Sequence, residues 1–358
     1  MNDPALDETT VVPPHLLASA GAPAPVGPDR LDPGARAVVD ALTGIFPDLG
    51  GAVTDAATAR RILAAAPPSP VPPPPVGAVT ERLVPGPAGA PPLRVRIYRP
   101  DSGRATGPRP TVVFLHGGGF VLCDLDTHDT TARRLCLAAD AVVVSVDYRR
   151  APEHPAPAAA LDAYAALRWA GEHAADLGGD PGALVVAGDS AGANLAVAAL
   201  LLAVEHGGPA VALQALAYPA LTADLDLPAH RENAVGYYLT TAHMAWFWEQ
   251  YLGAEGDPAD PLISPLRAAP EALSALPPAH VVAAGCDPLR DDAVRWAERL
   301  RAGGVRAELD VRPGMFHGFL AVAGLLPAAT EALAELGEAI AATVESRKNS
   351  RLTPGGAG

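Results

Sequence analysis

Hydrophobic runs separated by turn residues fill the chain from about residue 90 onward. These runs predict seven strands, at residues 93–98, 111–115, 141–146, 183–187, 213–218, 280–284 and 307–311. Several runs are almost entirely apolar, which is the pattern of strands buried on both faces of a parallel sheet. Helical spacing between or after the strands predicts helices near residues 127–139, 157–175, 191–206, 289–303 and 328–345. The alternation predicts an α/β fold with a doubly wound, mostly parallel sheet.

The first eighty residues follow a different pattern. Residues 1–30 are rich in Pro, Ala and Asp without periodicity, so we expect a mobile tail there. Apolar positions then repeat at helical spacing over residues 33–46, and a second helix is predicted over residues 54–66 with Thr54 as its N-cap. Seven of the nine residues 67–75 are proline, which favours an extended spacer.

These patterns divide the chain into four parts. A mobile tail over residues 1–30 precedes a helical cap segment with its proline-rich linker over residues 31–78. The main α/β domain is expected to span residues 79–348. We expect a second mobile tail over residues 349–358, which contain Asn, Ser, Arg, Leu, Thr, Pro, Gly and Ala.

Composition excludes several classes of protein. Of the 358 residues 49% are hydrophobic, so the chain can bury a large core, and the net charge of −14 disfavours nucleic acid and anionic membrane surfaces as partners. The longest apolar run, residues 195–204, has half of the roughly 20 residues that a membrane span needs. The acidic start of the chain is unlike a secretory signal. Three cysteines without Cys-x-x-Cys spacing predict reduced thiols, no zinc site and a cytoplasmic protein.

A serine lies at the turn between a predicted strand and a predicted helix. Gly188-Asp189-Ser190-Ala191-Gly192 follows an apolar strand and precedes the apolar helix. Small flanking residues permit a sharp turn that lifts the serine hydroxyl clear of the sheet. Ser190 is therefore the candidate nucleophile. The alternative is a glycine-rich helix start in which Ser190 acts only as an N-cap.

Three consecutive glycines follow an earlier strand in the segment His116-Gly117-Gly118-Gly119-Phe120. Such a run is costly to order, so it indicates a backbone that closely approaches another group. An oxyanion hole needs that approach, and we assign the amides of Gly118, Gly119 and Ala191 to it. A flexible loop or a phosphate-binding turn is the alternative, although the spacing of a P-loop and its lysine are missing.

A serine nucleophile needs a base and an acid that orients the base. Of ten histidines, His317 lies just after the last predicted strand, in a loop with glycine and aromatic neighbours. Asp287 follows the preceding strand, at the carboxyl edge where catalytic groups of open α/β sheets gather. The chain order Ser190, Asp287, His317 is the order expected for an α/β-hydrolase.

Together these motifs resemble the bacterial hormone-sensitive-lipase family of carboxylesterases. The resemblance covers roughly residues 80–345 and rests on five segments in the right order: residues 116–120, 148–155, 188–192, 287–291 and 317–319. Because position 189 is aspartate, the chain resembles the branch of the family that has Asp before the nucleophile. The resemblance implies an α/β-hydrolase fold with an N-terminal helical cap, no metal and no cofactor. It also carries over the proposed triad and oxyanion amides, and it implies that Glu153 is part of the scaffold.

Aromatic residues are concentrated in one segment, where residues 237–251 hold six of the seventeen aromatic side chains. A core helix accounts for most of them, and the remainder are expected to line an acyl pocket together with the cap. We expect a further cap contribution from residues 224–252. The residues predicted to form the substrate pocket are Phe120, Asp189, Tyr218, Phe247, Leu289 and Phe316.

The sequence thus predicts a serine carboxylesterase that hydrolyses short- to medium-chain acyl esters through an acyl-enzyme. An amidase or a lactonase would use the same triad, so these alternatives stay open. A binding module without turnover is the third alternative, and the presence of His317 argues against it. The expected partner is a small-molecule ester, and the family resemblance implies a homodimer through the sheet edge at the last strand.

Overall fold

An eight-stranded sheet is the centre of the computed structural model, which describes residues 30–67, 70–101 and 107–352. The strands are β1 (Ala78–Val84), β2 (Leu93–Arg99), β3 (Thr111–Leu115), β4 (Val142–Asp147), β5 (Leu184–Asp189), β6 (Leu213–Ala217), β7 (Ala279–Cys286) and β8 (Ala307–Phe316). Their order is β1-β2-β4-β3-β5-β6-β7-β8. β2 runs antiparallel to β1 and β4, and all other neighbours are parallel. The predicted fold class is confirmed.

Helices cover both faces of this sheet. They are α1 (Pro33–Thr43), α2 (Ala56–Ala64), α3 (Asp129–Ala138), α4 (Ala158–His173), α5 (Ala191–His206), α6 (Pro228–Glu232), α7 (Thr241–Leu252), α8 (Pro270–Ser274), α9 (Arg290–Ala302) and α10 (Pro327–Leu352). Alternate residues of β3 enter different hydrophobic clusters, Val113 and Leu115 on one face, Val112 and Phe114 on the other. The first cluster includes α4, α5 and α9, and the second includes α1, α3 and α10. Both faces of the strand are buried, which explains its uninterrupted apolar sequence.

The short helices α6 and α8 were not predicted, and two further elements, β1 and α2, differ from the sequence-based expectations. β1 was not predicted, because most of its side chains are exposed, Leu83 at 72%, so it lacks a buried hydrophobic pattern. Its backbone pairs with β2 along all seven residues, and this pairing defines it as an edge strand. The N-cap of α2 is Asp55 rather than Thr54, since the Asp55 carboxylate accepts the Thr58 amide at 2.8 Å.

Both predicted tails fall largely outside the described residues, which begin at Arg30 and end at Leu352. α10 continues to that last described residue. The proline-rich residues 70–77 contain neither helix nor strand. Within the described ranges, no helix is long and apolar enough to cross a membrane. Cys123, Cys136 and Cys286 form no disulfide.

The strand order determines where the loops meet. All neighbours from β3 through β5, β6 and β7 to β8 are parallel. The carboxyl ends of β3, β5, β7 and β8 therefore lie at the same end of the sheet. The glycine run follows β3, Ser190 follows β5, Asp287 follows β7 and His317 follows β8. Residues far apart in the sequence therefore converge at this end.

Candidate active site

Ser190 occupies a strained turn between β5 and α5. Its backbone has φ 55° and ψ −120°, a region that residues with a side chain rarely adopt. The turn is tight because Gly188 and Gly192 lie against each other, and a Cβ on either would overlap backbone atoms. The Ser190 amide donates to the Ala217 carbonyl at 2.9 Å, which fixes the turn to the neighbouring strand.

A continuous hydrogen-bond relay joins the three predicted side chains. His317 Nε2 lies 2.9 Å from Ser190 Oγ, and His317 Nδ1 lies 2.8 Å from Asp287 Oδ2. Because an ionised carboxylate only accepts, Nδ1 carries the ring proton and Nε2 accepts from the serine hydroxyl. Asp287 is completely buried, and its second oxygen accepts the Leu289 amide at 2.8 Å.

Two residues that sequence reasoning missed support the acid. The Asn233 side-chain amide donates to the Asp287 carbonyl at 2.9 Å, and Arg30 donates to the Asn233 Oδ1 at 2.8 Å. A second nitrogen of Arg30 donates to the Gly285 carbonyl at 2.8 Å. No local pattern marks either residue, because both act only through contacts with a distant loop.

The glycine run forms a turn that holds two of the three amides assigned to the oxyanion hole, and the third belongs to Ala191 at the start of α5. Gly118 and Gly119 have φ 112° and 59°, and the Gly118 carbonyl accepts the amides of Val121 and Leu122. Within the described part of the chain, the amides of Gly118, Gly119 and Ala191 have no acceptor. Amide donors held in this way are the components of an oxyanion hole.

An ion pair lies behind this turn. Asp189 Oδ1 accepts the Gly117 amide at 2.9 Å, and Asp189 Oδ2 lies 3.5 Å from His128 Nε2. Burial opposes charge on the imidazole, yet the Asp189 carboxylate outweighs it and raises the pKa of His128 to about 10. Burial would raise the pKa of Asp189, but the charge of His128 and its hydrogen bond hold that pKa below its usual value. The pair is therefore ionised at neutral pH.

His116, the first residue of the glycine motif, is neutral. Burial, together with the nearby charge of His128, lowers the pKa of His116 to about 3. Its Nδ1 lies 2.7 Å from the Gly117 carbonyl, and Tyr148 donates to the His116 carbonyl at 2.7 Å. These bonds hold the start of the oxyanion turn.

A cavity of about 240 Å³ opens above Ser190 and His317. Its floor includes Gly118, Gly119 and Ala191, so the candidate nucleophile and the three amides share one space. Of the predicted pocket residues, Phe120, Asp189 and Phe247 line the cavity.

The other three predicted pocket residues lie outside the cavity wall. The Tyr218 ring packs edge-on against His317 with centroids 4.9 Å apart. Leu289 contributes its amide to Asp287, and Phe316 packs against Tyr238 with centroids 6.3 Å apart. Tyr218 and Phe316 therefore lie one layer behind the cavity, and Leu289 lies behind Asp287, which is not part of the cavity wall.

Comparison with known proteins places this arrangement in a family. Residues 112–321 match the family model of the alpha/beta hydrolase fold. The chain belongs to this family. It is 46% identical to esterase LipI of Mycobacterium tuberculosis over 71% of this chain and 78% of that protein. It is 38% identical to the ethyl acetate hydrolase of Pseudomonas putida over 69% and 78% of the two chains.

A solved structure shows the same relationship across more of the chain. The hyperthermophilic esterase from the archaeon Pyrobaculum calidifontis superposes with a TM-score of 0.77 at 36% identity, covering 88% of this chain and 99% of that one. The predicted membership in the bacterial hormone-sensitive-lipase-like carboxylesterases is confirmed.

Most of the cavity wall of this hydrolase was not predicted. The cap helix α1 and the turn after it contribute Leu42 and Phe46, and the α7 region contributes Leu239 and Met244. His128 from the loop before α3 also lines the cavity. The helical spacing that includes Leu42 and Phe46 was visible in the sequence, but not the surface that this apolar stripe faces.

The aromatic segment of the hydrolase serves two purposes. Trp246, Trp248 and Tyr251 on α7 are buried in the hydrophobic core. Phe120 stacks on Tyr251 with centroids 3.8 Å apart, which ties the oxyanion turn to α7. Phe247 instead faces the cavity, and its ring fills the space where a Cβ on Gly119 would lie.

Proposed function

We propose that this α/β-hydrolase is a serine carboxylesterase in which Ser190, His317 and Asp287 form the triad and the amides of Gly118, Gly119 and Ala191 form the oxyanion hole. One observation carries the proposal. The relay from Asp287 through His317 to Ser190 ends at a cavity whose lining includes the three residues with amides that have no acceptor among the described residues. The relatives named as an esterase and an ethyl acetate hydrolase support the same reaction class.

Acylation follows from the hydrogen-bond directions. Ser190 Oγ attacks the ester carbonyl carbon while its proton passes to His317 Nε2. Asp287, which accepts from Nδ1, orients the ring and stabilises the imidazolium that forms. The carbonyl oxygen becomes an oxyanion that the three amides stabilise, in a cavity where water competes little. His317 then protonates the leaving alcohol, and the C–O bond to it breaks.

Deacylation uses the same groups in reverse. Water replaces the alcohol, and His317 Nε2 takes a proton from this water as its oxygen attacks the acyl carbon of the Ser190 ester. The second tetrahedral oxyanion lies on the same amides. Collapse returns the proton to Ser190 Oγ and releases the carboxylic acid.

Cavity size supports short- to medium-chain substrates. A volume of about 240 Å³ lies below the roughly 300–1,000 Å³ of pockets that hold drug-sized ligands. Leu42, Phe46 and Met244 give the cavity apolar surface, which suits an aliphatic acyl group.

The test is hydrolysis of p-nitrophenyl esters from acetate to palmitate by the wild type and by Ser190→Ala. We expect the rate to peak at short acyl chains and to fall by at least about 10³-fold in Ser190→Ala, because nucleophile and base act as a unit. Ser145→Ala is the matched control, since it also removes a buried hydroxyl, one that has no hydrogen-bond partner among the described residues.

Three outcomes would contradict the proposal in different ways. Full activity in Ser190→Ala would exclude this nucleophile. A wild type inactive on all esters but active on p-nitroanilides or lactones would make the chain an amidase or a lactonase. A wild type that binds acyl ligands without turnover would make it a binding module.

A further inference from the structure

A carboxylate lies directly behind the oxyanion turn. Asp189 precedes Ser190 in the chain, and its Oδ1 accepts the Gly117 amide at 2.9 Å. A Cβ on Gly117 would overlap the carboxylate, so the start of the turn packs directly against Asp189. Because Gly118 and Gly119 follow at once, the position of this carboxylate sets the position of their amides.

The same carboxylate creates an electrostatic difficulty. The reaction develops negative charge on the front of the turn, and a bare negative charge behind it would repel that oxyanion in a weakly screened site. Asp189 therefore favours catalysis through its hydrogen bond and opposes catalysis through its charge.

His128 is placed to cancel that charge. Its Nε2 lies 3.5 Å from Asp189 Oδ2, and among the described residues no other cation lies within ion-pair distance of Asp189. The neighbouring His116 ring, whose centroid lies 5.3 Å from the centroid of the His128 ring, is fully buried. Its Nδ1 lies within hydrogen-bond distance of the Gly117 carbonyl. The guanidinium of Arg150 donates to the Cys123 carbonyl.

We propose that His128 is a positioning residue, which neutralises Asp189 so that this carboxylate can hold the oxyanion turn without repelling the transition state. The proposal rests on the proposed function and adds a residue that touches neither the nucleophile nor the triad. It predicts that the charge on Asp189 is harmful only when His128 is removed.

The experiment compares four enzymes on p-nitrophenyl butyrate at about pH 8: wild type, His128→Gln, Asp189→Asn and the double variant. We expect His128→Gln to lower kcat about 10- to 100-fold with KM within about twofold, less than the 10²–10³-fold loss of a whole oxyanion donor. Asp189→Asn keeps an oxygen for the Gly117 amide and should lose less. The double variant should be faster than His128→Gln, because the uncompensated charge is gone.

A merely structural pair would give a different pattern. If His128→Gln keeps wild-type kcat, or if the double variant is as slow as or slower than His128→Gln, the proposal is wrong. His280→Gln is the matched control, since His280 pairs with Glu308 at the same 3.5 Å at the opposite end of β7. This control should keep its kcat.

Inactivation by a p-nitrophenyl phosphonate provides a second measurement, because the phosphonyl oxygen occupies the oxyanion hole without deacylation. The rate of inactivation should follow kcat across the four enzymes. Should His128→Gln fail to fold, Asp189→Asn and the double variant still decide: equal rates support cancellation, and a much slower double variant opposes it. A wild type that is not labelled on Ser190 would refute the proposed function instead.

Discussion

At the scale of single residues, backbone strain is concentrated around the cavity. Six non-glycine residues in the described ranges have positive φ, and four of them, Phe120, Cys123, Ser190 and Tyr238, line the cavity. Each such conformation costs of order 1–3 kcal/mol and persists only where the surrounding packing enforces it. The fold thus spends part of its stability on placing the nucleophile and the oxyanion turn.

The glycine at position 119 gives a prediction at this scale. Gly119→Ala adds a Cβ at φ 59°, where it meets the Phe247 ring, so we expect the oxyanion turn to shift and kcat/KM to fall more than about tenfold. Gly89→Ala is the control, because its φ of 81° costs about 1 kcal/mol but its Cβ meets no atom within 4 Å. Equal kcat/KM in the two variants would contradict this view of the turn.

At the scale of elements, one arginine fastens the cap to the main domain. Arg60 on α2 donates to the Val121 carbonyl at 2.8 Å and to the Ala151 carbonyl at 2.7 Å. It also forms an ion pair with Glu153 at 2.6 Å. Val121 directly follows the oxyanion segment, so the Arg60 side chain links α2 to the site. Glu153 therefore contacts the cap rather than the nucleophile.

Removing this link should loosen the cap. We expect Arg60→Gln to lower the free energy of unfolding by about 1–2 kcal/mol, mainly because two carbonyls lose a charged donor. The ion pair itself should add little, since the Glu153 side chain is 53% exposed. Arg61→Gln is the control on the same helix, because the Arg61 side chain donates to Thr58 within α2 and to no other described residue. Denaturant unfolding of both variants would measure the difference, and equal losses would contradict the assignment.

The same contact should depend on pH. The hydrogen bond from Arg60 lowers the pKa of Glu153 from 4.5 to about 2. A carboxyl whose pKa is lower in the folded state stabilises fully above its unfolded pKa, so this stabilisation is complete above about pH 4.5 and is lost as pH falls toward 2. The difference in thermal midpoint between wild type and Glu153→Gln should therefore shrink between about pH 6 and pH 3. An unchanged difference would show that the ionised pair is not the source.

At the scale of the whole molecule, the two edges of the sheet differ. β1 and β8 each have one strand neighbour. Near the end of β8, the Gly314 carbonyl accepts the Asp32 amide at 3.0 Å. At the start of β8, the side chains of Arg306 and Glu308 are largely exposed. A two-fold pairing of β8 with a second copy would bring Arg306 and Glu308 of both copies to the rim of the interface.

We therefore propose a homodimer joined through β8. Light scattering coupled to gel filtration should give twice the chain mass of 36.4 kDa, and Glu308→Lys should shift the protein toward monomer because it adds positive charge beside Arg306 in both copies. Glu172→Lys, at an exposed site on α4, should leave the mass unchanged. A monomer at all concentrations in the wild type would contradict the proposed interface.

The sequence by itself determined the buried strands, the longer helices and the candidates for chemistry. Buried strands such as β3 and β5 are apolar at nearly every position, and the turn around Ser190 requires small residues at fixed places, so both are local properties of the chain. The order of Ser190, Asp287 and His317 along a parallel sheet then limits the arrangements in which they can meet.

Tertiary structure alone decided which residues support and enclose those groups. Arg30 reaches Asn233 across 203 positions of sequence, and His128 meets Asp189 from a different loop. The cavity wall combines α1, α7 and the loop before α3, whose apolar faces are alike in sequence whether they meet a substrate or the core. Such contacts depend on how separate elements pack, and a pattern of hydrophobic and polar positions specifies which face is buried but not what it is buried against.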